Sequence, residues 1–196
     1  MKRRVGVLAL QGCVQPHWAH IEAAGAEFVE VRDAQTLSRV DGLILPGGES
    51  TAMLKLLDYF EMKTALREAF RRIPCWGICA GAILMARSIQ GRDQFSFGAL
   101  DIEVQRNAYG RQQESFFAEI KQYSVAFIRA PKILATGPGV ETLATHESDP
   151  VWVRQSSSMA TTFHPELSEQ KPSPMHRFFV EIIRSTEINP RSFLLL

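Results

Sequence analysis

The apolar positions of the first ninety residues fall into short continuous runs separated by stretches of helical period. Val5-Gly6-Val7-Leu8-Ala9-Leu10 is such a run, with the unbroken apolarity of a strand covered on both faces of a parallel sheet. Gln11-Gly12 ends it, and residues 16–24 predict a helix stopped by Gly25. Residues 28–31 predict a second strand, and the polar stretch 34–40 a short helix or loop. Asp41-Gly42-Leu43-Ile44-Leu45 predicts a third buried strand that runs into Pro46-Gly47-Gly48-Glu49-Ser50-Thr51. Ser50 or Thr51 is expected to cap a helix over 52–60. The Gly-Gly turn then lies at the carboxyl edge of the sheet, where open α/β sheets hold their ligands. A helix over 63–72, a strand over 73–77 and a helix over 82–89 follow.

From about residue 95 the pattern changes. Residues 98–104, 124–128, 142–145, 151–155 and 159–163 predict strands without full helices between them, so this half is expected to be partly antiparallel. A helix over 174–184 closes the fold, and 187–196 reads as a C-terminal tail with an apolar Phe193-Leu194-Leu195-Leu196 end. Alternating strands and helices through residue 90 argue for a doubly wound α/β domain. The length of 196 residues fits a single domain over 1–196.

Charge and cysteine content narrow the function classes. A net charge of +1 with no basic stripe leaves no electrostatic footprint for nucleic acid. The odd count of 3 cysteines (Cys13, Cys75, Cys79) suits a reducing compartment, so a cytoplasmic protein is expected. No Cys/His spacing resembles a zinc site, and neither metal nor cofactor is expected. Lys2-Arg3-Arg4 before an apolar run imitates a secretion signal. The run is shorter than the roughly 7–15 residues such signals use, and it reads better as the first strand. No stretch approaches the roughly 20 apolar residues of a membrane span.

The candidate chemistry centres on Pro74-Cys75-Trp76-Gly77-Ile78-Cys79-Ala80-Gly81. Cysteines in apolar runs are commonly packing residues. Here, however, Cys79 stands between a strand and a helix with glycine two positions away on each side. That is the cysteine counterpart of a nucleophile elbow, in which a sharp turn lifts the nucleophile off the sheet. The following helix turns its free N–H groups toward the sulfur, which favours thiolate.

A thiol nucleophile needs an imidazole base, and 5 histidines are available. His17 and His20 lie one turn apart on the first helix and read as surface or packing residues. His146 falls in a polar loop, and His176 on the last helix reads as packing. His164 differs, because an apolar strand ends in Phe163-His164-Pro165-Glu166. Proline biases His164 toward extended backbone, and residues two apart in an extended chain share a side. Glu166 can then hold one ring nitrogen while the other serves Cys79, which is the logic of a Cys-His-Glu triad. The oxyanion of an acyl transfer needs two N–H donors; Ala80 offers one and Gly47 or Gly48 the other.

Together these residues resemble the class I, triad-type glutamine amidotransferases, and within them the family of glutaminase subunits of pyridoxal 5′-phosphate synthase. The resembling strings are Val5 to Gly12, Leu43 to Thr51, Arg106-Asn107-Ala108-Tyr109-Gly110-Arg111-Gln112, Phe127-Ile128-Arg129-Ala130-Pro131 and Phe163 to Leu167. They span nearly the whole chain. The resemblance implies a flavodoxin-like three-layer α/β/α fold with a mixed, mostly parallel sheet. It implies hydrolysis of L-glutamine to glutamate and ammonia through a thioester on Cys79. Gly48, Glu49, Ser50, Arg106, Ile128 and Arg129 would hold the glutamine, with the two arginines as carboxylate clamps. Gln11 would sit at the partner interface. The ammonia would pass to a separate synthase subunit in a large ring assembly with glutaminase subunits outside. Pro16, the segment Arg154 to Met159 and the segment Ser168 to Pro172 depart from the family pattern, and none touches Cys79, His164 or Glu166. An amidotransferase subunit feeding another acceptor, and a catalytically silent interaction module, remain as alternative readings.

Overall fold

The continuous apolar runs become the middle of one sheet in the computed structural model, which describes residues 2–91, 93–106 and 115–186. The chain opens with β1 (Arg4–Leu8), α1 (His17–Ala23), β2 (Glu27–Val31), α2 (Ala34–Leu37) and β3 (Gly42–Leu45). It continues with α3 (Ser50–Tyr59), α4 (Lys63–Arg72), β4 (Cys75–Ile78), α5 (Ala80–Met85) and β5 (Ala86–Gln90). The second half is mainly strand: β6 (Leu100–Gln105), β7 (Ser115–Ile120), β8 (Tyr123–Ile128) and β9 (Lys132–Thr136). Then come β10 (Glu141–His146), β11 (Asp149–Gln155) and β12 (Ser158–Thr161). A 3₁₀ turn, Pro165–Leu167, and α6 (Pro174–Thr186) follow.

Among the described residues the main sheet has 7 strands in the order β10-β11-β12-β4-β3-β1-β2. β2, β1, β3, β4 and β12 run parallel, and β11 and β10 add antiparallel at one edge. This is the mixed, mostly parallel α/β architecture expected. Period-two alternation splits each central strand between two cores. Leu43 and Leu45 of β3 pack with Leu57 of α3 and Leu84 of α5, whereas Ile44 packs with Ile21 of α1 and Phe179 of α6. Helices on both faces therefore explain why the run has no polar side. Each such buried side chain contributes about 1.5–3 kcal/mol.

Several expectations are corrected. The helix expected over 82–89 begins at Ala80 and ends at Met85, because Ala86 turns extended (φ −60°, ψ 152°). Residues 86–90 are β5 and pair in parallel with β6, forming with β9 a separate 3-stranded sheet. An apolar run alone does not distinguish these outcomes. The α3 cap is Glu49, not Ser50 or Thr51: its carboxylate accepts from the N–H groups of Thr51 and Ala52. A negative charge is well placed at that helix end. β7 and β9 fall outside the expected strands; β7 alternates exposed and partly buried positions and, among the described residues, pairs only with β8. His146 is not in a loop but ends β10, where its ring stacks on Phe116 and lies 5.3 Å from Phe127. The predicted tail over 187–196 lies outside the described residues.

α5 meets β3 backbone to backbone. A Cβ on Gly81 would lie 2.0 Å from the Leu45 carbonyl oxygen. Gly81→Ala should therefore destabilise by about 3 kcal/mol or more, the upper end of overpacking costs; an unchanged midpoint in urea unfolding would show that α5 can shift away.

On the opposite face α1 and α6 meet through imidazoles. His17, His20 and His176 are all buried, so the packing reading holds and the surface one does not. His17 Nδ1 lies 2.8 Å from His176 Nε2, His20 stacks on His176 at 4.5 Å, and His176 meets the Trp76 ring edge-on. Burial pushes His17 down to about 4, against the pull of Glu166, and also lowers His20 and His176. The folded chain thus keeps these rings neutral, while the unfolded chain protonates them near pH 6.5. Their contribution is present above pH 6.5 and is lost as pH falls toward 4, at about 1.4 kcal/mol per pH unit for His17 alone. Urea unfolding at pH 7 and pH 5 should differ by at least about 2 kcal/mol, with the acid sample weaker. Equal stabilities would show that the cluster titrates normally.

Candidate active site

Cys79 occupies the single-residue link between β4 and α5, with φ 49° and ψ −102°. Positive φ is unfavourable for a side chain with a Cβ, and such strain persists only where surrounding structure enforces it. Here the N–H of Cys79 donates to Thr161 O of the neighbouring β12, and its carbonyl accepts from Ile83 N of α5. A Cβ on Gly77 would lie 2.7 Å from the Gly81 carbonyl group, so both flanking glycines are required by the tightness of the turn. The thiol is nearly buried and lies 3.9 Å from Ile128 O.

His164 follows β12 and is fixed from the side by β8, its N–H donating to Ala126 O at 2.8 Å. Its Nδ1 lies 2.7 Å from Glu166 Oε1. The two side chains meet as expected, but not through extended geometry, because Pro165–Leu167 forms a 3₁₀ turn that brings Glu166 back beneath the ring. Burial opposes charge on His164, yet hydrogen bonding and charge from Cys79 and Glu166 outweigh it and raise its basicity well above the ordinary range. Burial likewise opposes the Glu166 carboxylate, and the hydrogen bond from His164 holds it ionised. With Nδ1 on Glu166, Nε2 is the nitrogen left for the thiol. The ring lies over Gly47, where an added Cβ would come within 2.1 Å of His164 Cε1.

The mouth of the site is a cavity of about 340 Å³, within the range of small-molecule pockets. Of the residues singled out in the sequence, Gln11, Gly47, Gly48, Glu49, Ser50, Cys79, Arg106, Ile128, Arg129 and His164 line it. Ala80 does not; it is buried at the start of α5. Glu166 is buried behind His164. The Gly47-Gly48 loop is tied to the β1 edge: Cys13 N donates to Gly47 O, and Gln11 Oε1 accepts from Glu49 N at 3.0 Å. Gln11 thus buttresses the glycine loop from within the cavity.

Arg106 is not a free clamp. Its guanidinium donates to Glu49 Oε1 at 2.9 Å and to Gln94 Oε1, and Gln94 Nε2 donates to Ser50 Oγ at 3.1 Å. Partial burial opposes charge on Glu49, but hydrogen bonds from Thr51 and Ala52 and the Arg106 charge hold it at about 2. A guanidinium has five N–H donors, so two bonds leave it capacity for a ligand carboxylate. Arg129 is exposed at the rim with φ 44°. Gln94 and the lining residue Cys13 were missed. Gln94 lies in a segment without regular structure, and a lone glutamine there carries no sequence signal. The remainder of the string from Asn107 to Gln112 lies outside the described residues. Among the described residues no group of three or more His, Cys, Asp or Glu side chains could hold a metal ion, and no helix is long and apolar enough to cross a membrane.

Known proteins resemble this chain over most of its length. The model of the SNO glutamine amidotransferase family matches residues 7–185. A pyridoxal 5′-phosphate synthase subunit PdxT from Solibacter usitatus (strain Ellin6076) is 44% identical over 190 residues, covering 91% of this chain and 98% of the relative. The PdxT subunit from Frankia alni is 48% identical over 193 residues, covering 93% and 96%. A crystal structure of a glutamine amidotransferase superposes with a TM-score of 0.85 at 40% identity, covering 92% of this chain and 98% of that one. Another glutamine amidotransferase, from Thermotoga maritima, shares the fold at 15% identity and a TM-score of 0.57, over 99% of this chain and 89% of that one. The chain belongs to the SNO glutamine amidotransferase family.

Proposed function

We propose that the chain is the glutaminase subunit of a pyridoxal 5′-phosphate synthase, hydrolysing L-glutamine and handing its ammonia to a synthase subunit. The observation that carries this reading is Cys79 in a strained turn at a cavity whose wall holds His164 paired to Glu166 at 2.7 Å. The PdxT relatives supply the acceptor. In this reading the glutaminase subunits sit on the outside of a ring of synthase subunits, and Gln11 lies near the contact between them.

The geometry suits acyl transfer. Cys79 Sγ attacks the carboxamide carbon as thiolate, and the carbonyl electrons move onto oxygen. N–H groups of Ala80 and of the Gly47-Gly48 loop stabilise that oxyanion; such a donor typically contributes about 3–4 kcal/mol. Imidazolium His164 gives its Nε2 proton to the departing nitrogen, ammonia leaves, and a γ-glutamyl thioester remains on Cys79. Neutral His164 then takes a proton from water, the resulting hydroxide adds to the thioester, and collapse releases glutamate and the thiolate. Glu166 keeps the imidazole oriented and stabilises its charged form. Arg106, with Arg129 beside it, receives the α-carboxylate, while Glu49 and Gln94 hold Arg106 in place.

Ammonia release from L-glutamine, measured with the synthase subunit present, tests the reading. Cys79→Ala should lower turnover by on the order of 10³-fold or more, as loss of a nucleophile does. Retained turnover in Cys79→Ala would sink the assignment. The isolated chain should turn over little, because the partner completes the oxyanion site. Arg106→Ala should raise KM by about 10-fold or more, the value of a charge-assisted hydrogen bond, with a smaller change in kcat. An unchanged KM would move the carboxylate site elsewhere.

A further inference from the structure

We propose that Gln94 is a positioning residue for the α-carboxylate of the substrate: its side-chain amide holds the Arg106 guanidinium and leaves the Ser50 hydroxyl hydrogen free for the ligand. The proposal rests on the glutaminase reading, which supplies a substrate with a free α-carboxylate. Gln94 does not itself line the cavity, whereas Glu49, Ser50 and Arg106 do. Its Oε1 accepts from Arg106 Nη1, and its Nε2 donates to Ser50 Oγ at 3.1 Å. Arg106 Nη2 in turn donates to Glu49 Oε1 at 2.9 Å. One amide therefore joins two wall residues that can each donate to an anion.

The chemistry of the two neighbours leaves the amide one orientation. A guanidinium carries only donors, so the side of the Gln94 amide that faces Arg106 must be its oxygen. The NH₂ group then faces Ser50, whose oxygen is the acceptor in that bond. A serine hydroxyl still has one hydrogen to give. Among the described residues the other acceptor near that hydrogen is Gln94 Oε1, at 3.5 Å. That is too long for a strong O–H···O bond, and Arg106 already occupies the oxygen. Ser50 is only 1% exposed yet lines the cavity, so its hydrogen is left for a ligand. A carboxylate meets this requirement. Its oxygens only accept, and they can take the Ser50 hydrogen together with the Arg106 N–H groups that Glu49 and Gln94 leave free.

Neutrality and an anchored backbone suit Gln94 to this task. Glu49 and Arg106 already pair with each other, so an uncharged amide adds hydrogen bonds without adding charge. A carboxylate at position 94 would place a second negative charge beside Glu49, take the Ser50 hydrogen for itself and repel the substrate. The chain is fixed just after Gln94. Phe95 meets Phe97 edge-on with ring centroids 5.0 Å apart, and Lys63 Nζ of α4 lies 4.6 Å from the centre of the Phe95 ring. Phe97 N donates to Leu84 O of α5 at 2.7 Å, and Gly98 N donates to Ala86 O at 3.1 Å. The segment that carries Gln94 is thus tied to α5, the helix that starts at the nucleophile.

The test measures how fast two electrophiles label Cys79 in the complex with the synthase subunit, alongside ammonia release. The chloroketone analogue of glutamine carries the α-carboxylate, and iodoacetamide does not. Gln94→Met keeps the length of the side chain and removes its hydrogen bonds. It should slow labelling by the chloroketone about 10-fold, the value of one charge-assisted hydrogen bond, and leave labelling by iodoacetamide within about twofold. Its KM for L-glutamine should rise by a similar factor, with kcat within about threefold. Gln94→Glu should slow the chloroketone further than Gln94→Met does. A merely structural role would slow both electrophiles alike. That result, unchanged chloroketone labelling in Gln94→Met, or a Gln94→Glu chain no worse than Gln94→Met would overturn the proposal. The wild-type complex supplies a check that needs no variant. L-glutamate should protect Cys79 from iodoacetamide, and its α-amide, which lacks the carboxylate, should protect about 10-fold less well or worse. Equal protection would overturn the proposal. A wild-type complex that releases no ammonia, yet loses chloroketone labelling selectively in Gln94→Met, would refute the glutaminase reading and leave the positioning role standing.

Discussion

The tightness of the turn at Cys79 is the constraint on which the site depends. Gly81 brings α5 against the Leu45 carbonyl of β3, and Gly77 brings β4 against Gly81, so only a left-handed backbone at Cys79 joins the two elements. That conformation is held by a hydrogen bond to β12, the strand that delivers His164. Nucleophile and base are therefore placed by the same pairing of β4 with β12. Gly47 completes the arrangement from the other neighbour of β4: the His164 ring occupies the space a side chain there would fill. Three adjacent parallel strands, β12, β4 and β3, thus bring base, nucleophile and glycine loop together at their carboxyl ends.

Electrostatics in this dry corner follow from burial. His164, Glu166, His17 and His176 are all withdrawn from water, where an isolated charge is costly. The site resolves this by segregating charge. His164 and Glu166 share an ion pair beside the thiol, while the histidines behind them are driven neutral. On the solvent side Glu49 and Arg106 form a second pair that stays ionised because helix N–H groups and Gln94 hold its geometry.

Local chemistry made much of this legible in the sequence. Glycines on either side of Cys79 and the His-Pro-Glu string declare themselves within a few residues, because a tight turn and a short-range pair need particular neighbours. The parallel strands were readable because burial on both faces leaves unbroken apolar runs. What escaped depends on contacts distant in the chain. β5 and the missing half of the expected helix are decided by pairing with β6, and the true α3 cap by which carboxylate reaches the helix end. Gln94 matters only because Ser50 and Arg106 converge on it. The buried state of His17, His20 and His176 arises where α1 crosses α6, and helical periodicity cannot announce such a crossing.

The central claim is that Cys79, and no other thiol, is the acyl-accepting nucleophile for glutamine. The cavity contains a second thiol, Cys13, which makes the claim sharp. Peptide mapping by mass spectrometry after treating the complex with a chloroketone analogue of glutamine addresses it directly. A single adduct on Cys79 is expected, prevented by excess L-glutamine and absent in a Cys79→Ser chain. An adduct on Cys13, or labelling of Cys79 that glutamine does not prevent, would contradict the claim.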